Sequence, residues 1–134
     1  MSKITILDDD HFTLWFHSDT KIVHHHIKKY CYGVTLRTLL NKGVEELVKN
    51  GATKWLSDDR NNNTLTKEDT DWANGDWFPR CIKAGWKFWG IVLPEKAIGK
   101  MNMKKFVAQF AESGLTVQVF SDPDAALRWL AMAK

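Results

Sequence analysis

Apolar and polar residues alternate along the first thirty positions, with the period of two that is typical of β-strands. The alternation covers residues 4–6 and continues over residues 12–16. Residues 22–30 are rich in β-branched, aromatic and histidine side chains, which also favour a strand. We therefore predict three strands here, with the third antiparallel to the second.

The period then changes to that of a helix. Leucine and valine side chains over residues 34–50 fall on one helical face. Gly51 follows directly, and glycine is the usual residue just beyond a helix C-terminus. The pattern thus predicts a first long helix over residues 34–50 and a fourth strand over residues 53–57.

A second helical region follows a polar stretch. Thr66 precedes Asp69 by three residues, a spacing that approximates a capping box. Gly75 and Pro79 then disfavour one continuous helix, because glycine weakens and proline interrupts the hydrogen-bond ladder. We predict a broken helix across residues 67–84.

The last third repeats the strand–helix alternation. Residues 86–93 form a nearly continuous apolar run, which suits a strand covered on both faces. Apolar side chains at helical spacing over residues 103–110 predict another helix, closed by Gly114. An alternating strand over residues 115–119 follows, and Asp122 is placed to cap a final helix.

The resulting order is β-β-β-α-β-α-β-α-β-α, which indicates one α/β domain over residues 1–134. Right-handed crossovers between strands make the sheet largely parallel, and the opening strands add an antiparallel edge. We predict a mixed, mostly parallel sheet of four to five strands with about four helices. The strand at residues 87–93 is expected in its interior.

Composition narrows the classes of function. The net charge is +3, and the basic residues are spread along the chain, so we expect no nucleic-acid partner. Cys31 and Cys81 are too few for a disulfide framework and are predicted to be buried free thiols. No apolar run reaches the length of a membrane span, and the first residues lack a signal peptide, which predicts a cytoplasmic protein.

Three consecutive histidines, His24 to His26, form the most conspicuous motif. On a strand His24 and His26 face one side and His25 faces the other. His11 and His17 on the neighbouring strand are the nearest further ligand candidates, but no recognised metal-ligand spacing is present. We predict that His24 and His26 bind no metal and that the domain needs no cofactor.

No catalytic motif is present. The sequence lacks a phosphate-binding loop and a dinucleotide fingerprint. Paired acidic residues occur at 58–59 and at positions 69 and 71, but nothing assigns them a partner base or nucleophile. The chain is therefore predicted not to be an enzyme.

The polar loop over residues 57–66 is the predicted binding site. It follows a parallel strand, and ligands of open α/β sheets gather beyond the carboxyl ends of such strands. The alternative is a solvated loop beside two core tryptophans. The candidate residues are those of the loop, with two tryptophans as apolar anchors of the same surface: Ser57, Asp58, Asp59, Arg60, Asn61, Trp72 and Trp77.

Four stretches of the chain resemble the STAS-like superfamily, which includes domains of sulfate transporters and bacterial anti-sigma-factor antagonists. The resemblance is stronger to small bacterial proteins described as STAS-like or sporulation-antagonist-like. The stretches are GATKWLSDDR at residues 51–60, DWFPR at 76–80, AGWKFW at 84–89 and VFSDPDAALRWL at 119–130.

The resemblance implies a non-enzymatic protein-interaction domain with a regulatory role. In the anti-sigma-antagonist branch, a serine in an Asp-Ser-Ser-Gly sequence after the corresponding strand is phosphorylated. The sequence here, SDDRNNNT at residues 57–64, departs from that motif. The fold is also related to lipid-carrying CRAL-TRIO domains, which implies an apolar ligand as an alternative.

We therefore expect first a cytoplasmic STAS-like domain that binds a protein partner or a second copy of itself as a homodimer. The second expectation is a carrier or sensor of a small apolar or amphipathic ligand, using Trp and Phe side chains of the broken helix and the third helix. An unrecognised small enzyme is the third. An aromatic-lined pocket would favour the ligand, and an exposed apolar patch would favour the partner.

Overall fold

The computed structural model describes residues 3–62 and 64–134, so Met1, Ser2 and Asn63 of the predicted domain lie outside the described residues. Within the described ranges, six strands form one sheet in chain order. The first three strands pair antiparallel, and the last four pair parallel. The strands are β1 (Lys3–Asp8), β2 (Phe12–His17), β3 (Ile22–Ile27), β4 (Lys54–Asp58), β5 (Phe88–Val92) and β6 (Thr116–Phe120).

Helices connect the parallel strands and close the chain. Over the same described ranges there are six α-helices and one π-helical segment, Ala73–Trp77, between the second and third of them. The α-helices are α1 (Gly33–Asn50), α2 (Lys67–Trp72), α3 (Phe78–Lys83), α4 (Glu95–Gly99), α5 (Met103–Ala111) and α6 (Pro123–Met132).

The α/β order is confirmed, whereas the predicted size of the sheet was wrong. The described chain has six paired strands rather than four to five, because β1 pairs along β2 at one edge and β6 along β5 at the other. The helix count exceeds four because the predicted region 67–84 is divided into α2 and α3, and because α4 was not predicted. The apolar run at 87–93 does lie inside the sheet, between β4 and β6.

Local sequence signals position the helices as predicted. The Thr66 side chain accepts a hydrogen bond from the Asp69 N–H at 3.1 Å and caps α2. The Asp122 side chain caps α6 by accepting from the Asp124 N–H at 3.2 Å. The break predicted over residues 67–84 is the π-helical segment, and Pro79 is accommodated in the first turn of α3.

Two apolar layers sandwich the sheet. On one side, here called the α1 face, α1, the broken helix and α5 enclose the larger core around Trp55. On the other side, the α6 face, Ala126 and Leu130 of α6 pack on Leu56 and Val92. Because the opening strands β1 to β3 extend beyond α6, the α6 face is only partly covered.

The described helices include none that is long and apolar enough to cross a bilayer. Both cysteines are buried free thiols, as predicted. Burial raises the pKa of the Cys31 thiol to about 11 and also raises the pKa of Cys81. Neither thiol therefore has the thiolate character that reactive cysteines need.

Candidate functional site

The pairing of β3 with β4 distributes the polar side chains of both strands between the two faces. His25 stands opposite Ser57, and His26 stands opposite Asp58. Successive side chains of a strand point to opposite faces, so His25 and Ser57 face the α1 side. His26 and Asp58 face the α6 side.

A partly enclosed cavity of about 200 Å³ lies on the α1 face, at the carboxyl ends of the central strands. Four aromatic rings form much of its wall, from Trp77 and Phe78 of the broken helix, Trp89 of β5 and Phe110 of α5. Leucine side chains complete the apolar surface. Its polar groups come mainly from β3, β4 and the loop after β4, namely His25, Ser57, Asp59 and Asn62, with Asn74 of the π-helical segment.

The protonation of His25 follows from its hydrogen bonds. The Trp55 indole N–H donates to His25 Nδ1 at 3.0 Å, and an indole nitrogen can only donate. Nδ1 must therefore be the unprotonated nitrogen. The proton then sits on Nε2, which donates to Asp59 Oδ1 at 2.7 Å. A neutral imidazole beside a carboxylate gives the polar end of the cavity one negative charge.

Ser57 is the second polar group of the cavity. The Trp89 indole N–H donates to Ser57 Oγ at 2.9 Å. This bond uses the serine oxygen only as an acceptor, so the hydroxyl proton can still be donated. The same bond fixes the Trp89 ring, which is part of the apolar wall.

Asn62 is the third polar group of the cavity, and only the oxygen of its amide has a hydrogen-bond partner in the described chain. Its Oδ1 accepts the Cys31 backbone N–H at 2.8 Å, which identifies the other amide atom as nitrogen. That Nδ2 is buried and has no hydrogen-bond partner among the described residues. The side chain is only 3% exposed and lines the cavity.

On the α6 face the neighbouring acid is fully engaged. Arg60 donates to Asp58 through Nε at 2.8 Å and Nη2 at 2.7 Å. His26 Nδ1 lies 3.0 Å from the same carboxylate. Asp58 is buried beneath these two partly exposed partners, so its carboxylate is fully engaged within the cluster of Asp58, His26 and Arg60.

The remaining histidines of the α6 face also pair with each other. His17 Nε2 lies 3.0 Å from His24 Nδ1. Burial, reinforced by the neighbouring His17, lowers the pKa of His24 to about 2, so this ring stays neutral at physiological pH. Within residues 3–62 and 64–134, no three His, Cys, Asp or Glu side chains converge on a position that could hold a metal.

The predicted site residues do not lie on one surface, which corrects the expectation from the sequence. Ser57, Asp59 and Trp77 line the cavity. Asp58 belongs to the α6 face because side chains alternate along β4, and Arg60, beyond the strand, binds Asp58 on that face.

Two other predicted residues lie outside the cavity. Asn61 is exposed and donates to the Ile27 carbonyl at 3.3 Å. The guanidinium of Arg37 lies 5.0 Å from the centroid of Trp72, which places Trp72 against the start of α1. Buried Asp69 binds the Gly33 N–H at 2.8 Å beside it, so this corner fastens α2 to α1.

Sequence reasoning missed His25 and Asn62 as parts of one site. His25 was identified as facing away from its two neighbours, which is the only sequence signal it carries. Asn62 stands in a run of three asparagines, and nothing in the run distinguishes it from Asn61.

No family model matches this chain, and neither does any curated protein or solved structure at a significant level. The resemblance to the STAS-like superfamily therefore stays a prediction. The geometry of the cavity has to carry the functional argument.

Proposed function

We propose that this domain binds a small apolar or amphipathic ligand in the cavity of the α1 face. The observation that carries the proposal is a volume of about 200 Å³ walled by four aromatic rings, with polar groups gathered on the β3 and β4 side. Apolar pockets with a few placed polar groups are the usual form of small-molecule sites. The STAS-like resemblance, with its relation to lipid-carrying domains, is consistent with this function.

The volume sets the size of the ligand. An engineered cavity of about 150 Å³ lined by apolar side chains binds benzene. A cavity of about 200 Å³ thus accepts one ring with one or two small substituents. A long acyl chain does not fit unless the broken helix moves.

The position of the cavity supports a binding role. It lies beyond the carboxyl ends of parallel strands, where open α/β sheets bind their ligands. Ala73, Asn74 and Trp77 of the π-helical segment form part of its wall. Single π-helical turns often occur at functional sites, because they interrupt the regular ladder locally.

Toluene is a suitable probe for the test. A ligand that binds only the folded state stabilises it by RT ln(1 + [L]/Kd), about 1.4 kcal/mol at ten times Kd. We expect toluene to raise the melting temperature of the protein. In Ala73→Leu the larger side chain fills the cavity, so the effect is expected to disappear.

The matched control is Ala125→Leu, which enlarges another half-buried alanine, on α6 and away from the cavity. It should retain the full response to toluene. Equal responses in both variants, or no response in the wild type up to the solubility of toluene, would exclude ligand binding in this cavity.

A protein-interaction role is the second candidate, because several large apolar side chains are exposed close together around the start of α1. Tyr30 and Tyr32 lie with ring centroids 5.9 Å apart in the connection before α1. Val34 beside them is 82% exposed. Exposed apolar patches of this kind mark partner surfaces.

A homodimer through this patch is the specific form of the second candidate. Sedimentation at high micromolar concentration should then show a dimer that Tyr32→Ser with Val34→Ser abolishes. A wild-type protein that sediments only as a 15.5 kDa species would contradict self-association.

A further inference from the structure

We infer that the ligand of this cavity is an uncharged one-ring molecule carrying a hydroxyl group, of the phenol type. The hydroxyl oxygen accepts a hydrogen bond from Asn62 Nδ2. The hydroxyl group in turn donates a hydrogen bond to the free carboxylate oxygen of Asp59. The inference rests on the proposed function and names the chemical class of the ligand.

The amide of Asn62 has a donor without a partner among the described residues. The Nδ2 donor is buried, and no acceptor is found for it in the described part of the chain. An unpaired buried donor is costly to the folded state, and native proteins rarely keep one without a reason. Because Asn62 lines the cavity, we assign to this donor an acceptor atom of the bound ligand.

Asp59 and Asn62 lie at the two ends of the same turn. The Asn62 N–H donates to the Asp59 carbonyl at 3.0 Å, so the two residues are the ends of one tight turn. Asp59 Oδ1 accepts from His25, while Oδ2 accepts no bond recorded among the described residues. The same turn thus carries a free donor, Asn62 Nδ2, and a free acceptor, Asp59 Oδ2. Both residues line the cavity.

The charge of the cavity lining also restricts the ligand. The lining side chains in the described ranges include neither lysine nor arginine, and His25 is neutral, so the Asp59 carboxylate is the single charge there. A carboxylate ligand would be repelled. An ammonium ligand would be attracted to Asp59 but offers no acceptor to Asn62.

A hydroxyl group meets all of these demands. Its oxygen can accept two hydrogen bonds, one from Asn62 and one from the free proton of Ser57, while its own proton is donated to Asp59. The four aromatic rings of the wall then surround an aromatic or compact aliphatic body.

The test uses four probes of similar size: 4-methylphenol, p-xylene, benzylamine and benzoate. They are titrated calorimetrically at neutral pH into the wild-type protein. We expect 4-methylphenol to bind about tenfold more tightly than p-xylene, the ratio expected for one net hydrogen bond. Benzylamine should bind more weakly than 4-methylphenol, and benzoate most weakly of all.

The diagnostic variant is Asn62→Asp, which keeps an oxygen for the Cys31 N–H and replaces the free donor with an acceptor. In this variant p-xylene should still bind, and 4-methylphenol should bind with about the same affinity as p-xylene. The control is Asn61→Asp, a neighbouring exposed asparagine that does not line the cavity, and it should keep the tenfold preference.

The outcomes separate the two proposals. Equal binding of 4-methylphenol and p-xylene, or tightest binding of benzylamine or benzoate, overturns the inference and leaves the binding cavity standing. Failure of all four probes to bind overturns the proposed function itself. Should Asn62→Asp fail to fold, the wild-type series decides the ligand class by itself.

Discussion

Two neighbouring acidic residues at the end of β4 differ in how fully they are hydrogen-bonded on the two faces of the sheet. On the α6 face, Asp58 is saturated by Arg60 and His26 and is buried under them. On the α1 face, one residue further along, Asp59 has a single side-chain partner, His25, and borders a cavity. The carboxylate of Asp58 thus has its acceptor positions occupied, whereas Oδ2 of Asp59 has no side-chain partner among the described residues.

The same contrast holds for the packing of the helices. On the α1 face, helix α1 passes so close to Trp55 that only glycine fits at position 43. On the α6 face, Gly90 contacts the flexible side chain of Leu130. The α1 face thus has no space for a larger residue beside the indole that binds His25, whereas the nearest neighbour of Gly90 on the α6 face is the end of a flexible side chain.

The largest expected effect tests this packing contrast. In Gly43→Ala the new methyl group would overlap the Trp55 ring, which is fully buried and held between Trp77 and Trp86. The better helix propensity of alanine offsets only about 1 kcal/mol. We expect Gly43→Ala to lower the free energy of unfolding by about 3 kcal/mol or more in urea denaturation.

Gly90→Ala is the matched change on the other face. Its methyl group would lie 3.2 Å from Leu130 Cδ1, a side-chain end that can shift. Alanine is also favoured over glycine in a strand by about 0.5–1 kcal/mol. The stability should stay within about 1 kcal/mol of wild type, and equal losses in the two variants would refute the contrast.

The second prediction concerns acid stability, which the α6 face should dominate. His24 keeps a pKa of about 2 when folded, whereas the unfolded chain binds the proton near its ordinary value of 6.5. The unfolded state therefore gains protons first as the pH falls, so folding stability decreases below pH 6.5. From pH 7 to pH 4.5 this one group should cost about 2.5 kcal/mol.

The measurement is the free energy of unfolding across this pH range for the wild type and His24→Asn. The variant is expected to lose about 2.5 kcal/mol less than the wild type over the interval, whatever its stability at neutral pH. Parallel pH profiles for the two proteins would show that His24 is not the group responsible.

The third prediction compares the two acids directly. Asp58→Asn removes the carboxylate that holds Arg60 and His26 and should destabilise the protein by about 1–2 kcal/mol, since both partners are partly exposed. Asp59→Asn, at a partly exposed position, should change the melting temperature by less than about 4 °C. Thermal unfolding of both variants measures the difference, and a larger loss in Asp59→Asn would reverse the assignment of structural and binding roles.

Much of the fold could be predicted from local patterns, and the failures are instructive. Thr66 and Asp122 are capping signals that act within three residues, so they were found from the sequence. The number of strands in the sheet depends on which distant segments pair, and alternation within a strand does not reveal that. Six strands in the described chain therefore replaced the predicted four to five.

The candidate site was harder to predict, for a physical reason. Alternation along β4 places Ser57 and Asp58 on opposite faces, but it does not say which face encloses a cavity. That depends on how α5 and the broken helix pack against β5, which is a tertiary property. The role of Asn62 similarly depends on its bond to Cys31, thirty-one positions away.

The most direct test of the account uses the indole N–H resonances of the seven tryptophans. Trp77 and Trp89 line the cavity, whereas Trp15 and Trp129 lie on the α6 face. On titration of ¹⁵N-labelled protein with 4-methylphenol, we expect saturable shifts of the Trp77 and Trp89 signals and none at Trp15 and Trp129. Unchanged Trp77 and Trp89 signals, or saturable shifts confined to Trp15 and Trp129, would contradict a binding site on the α1 face.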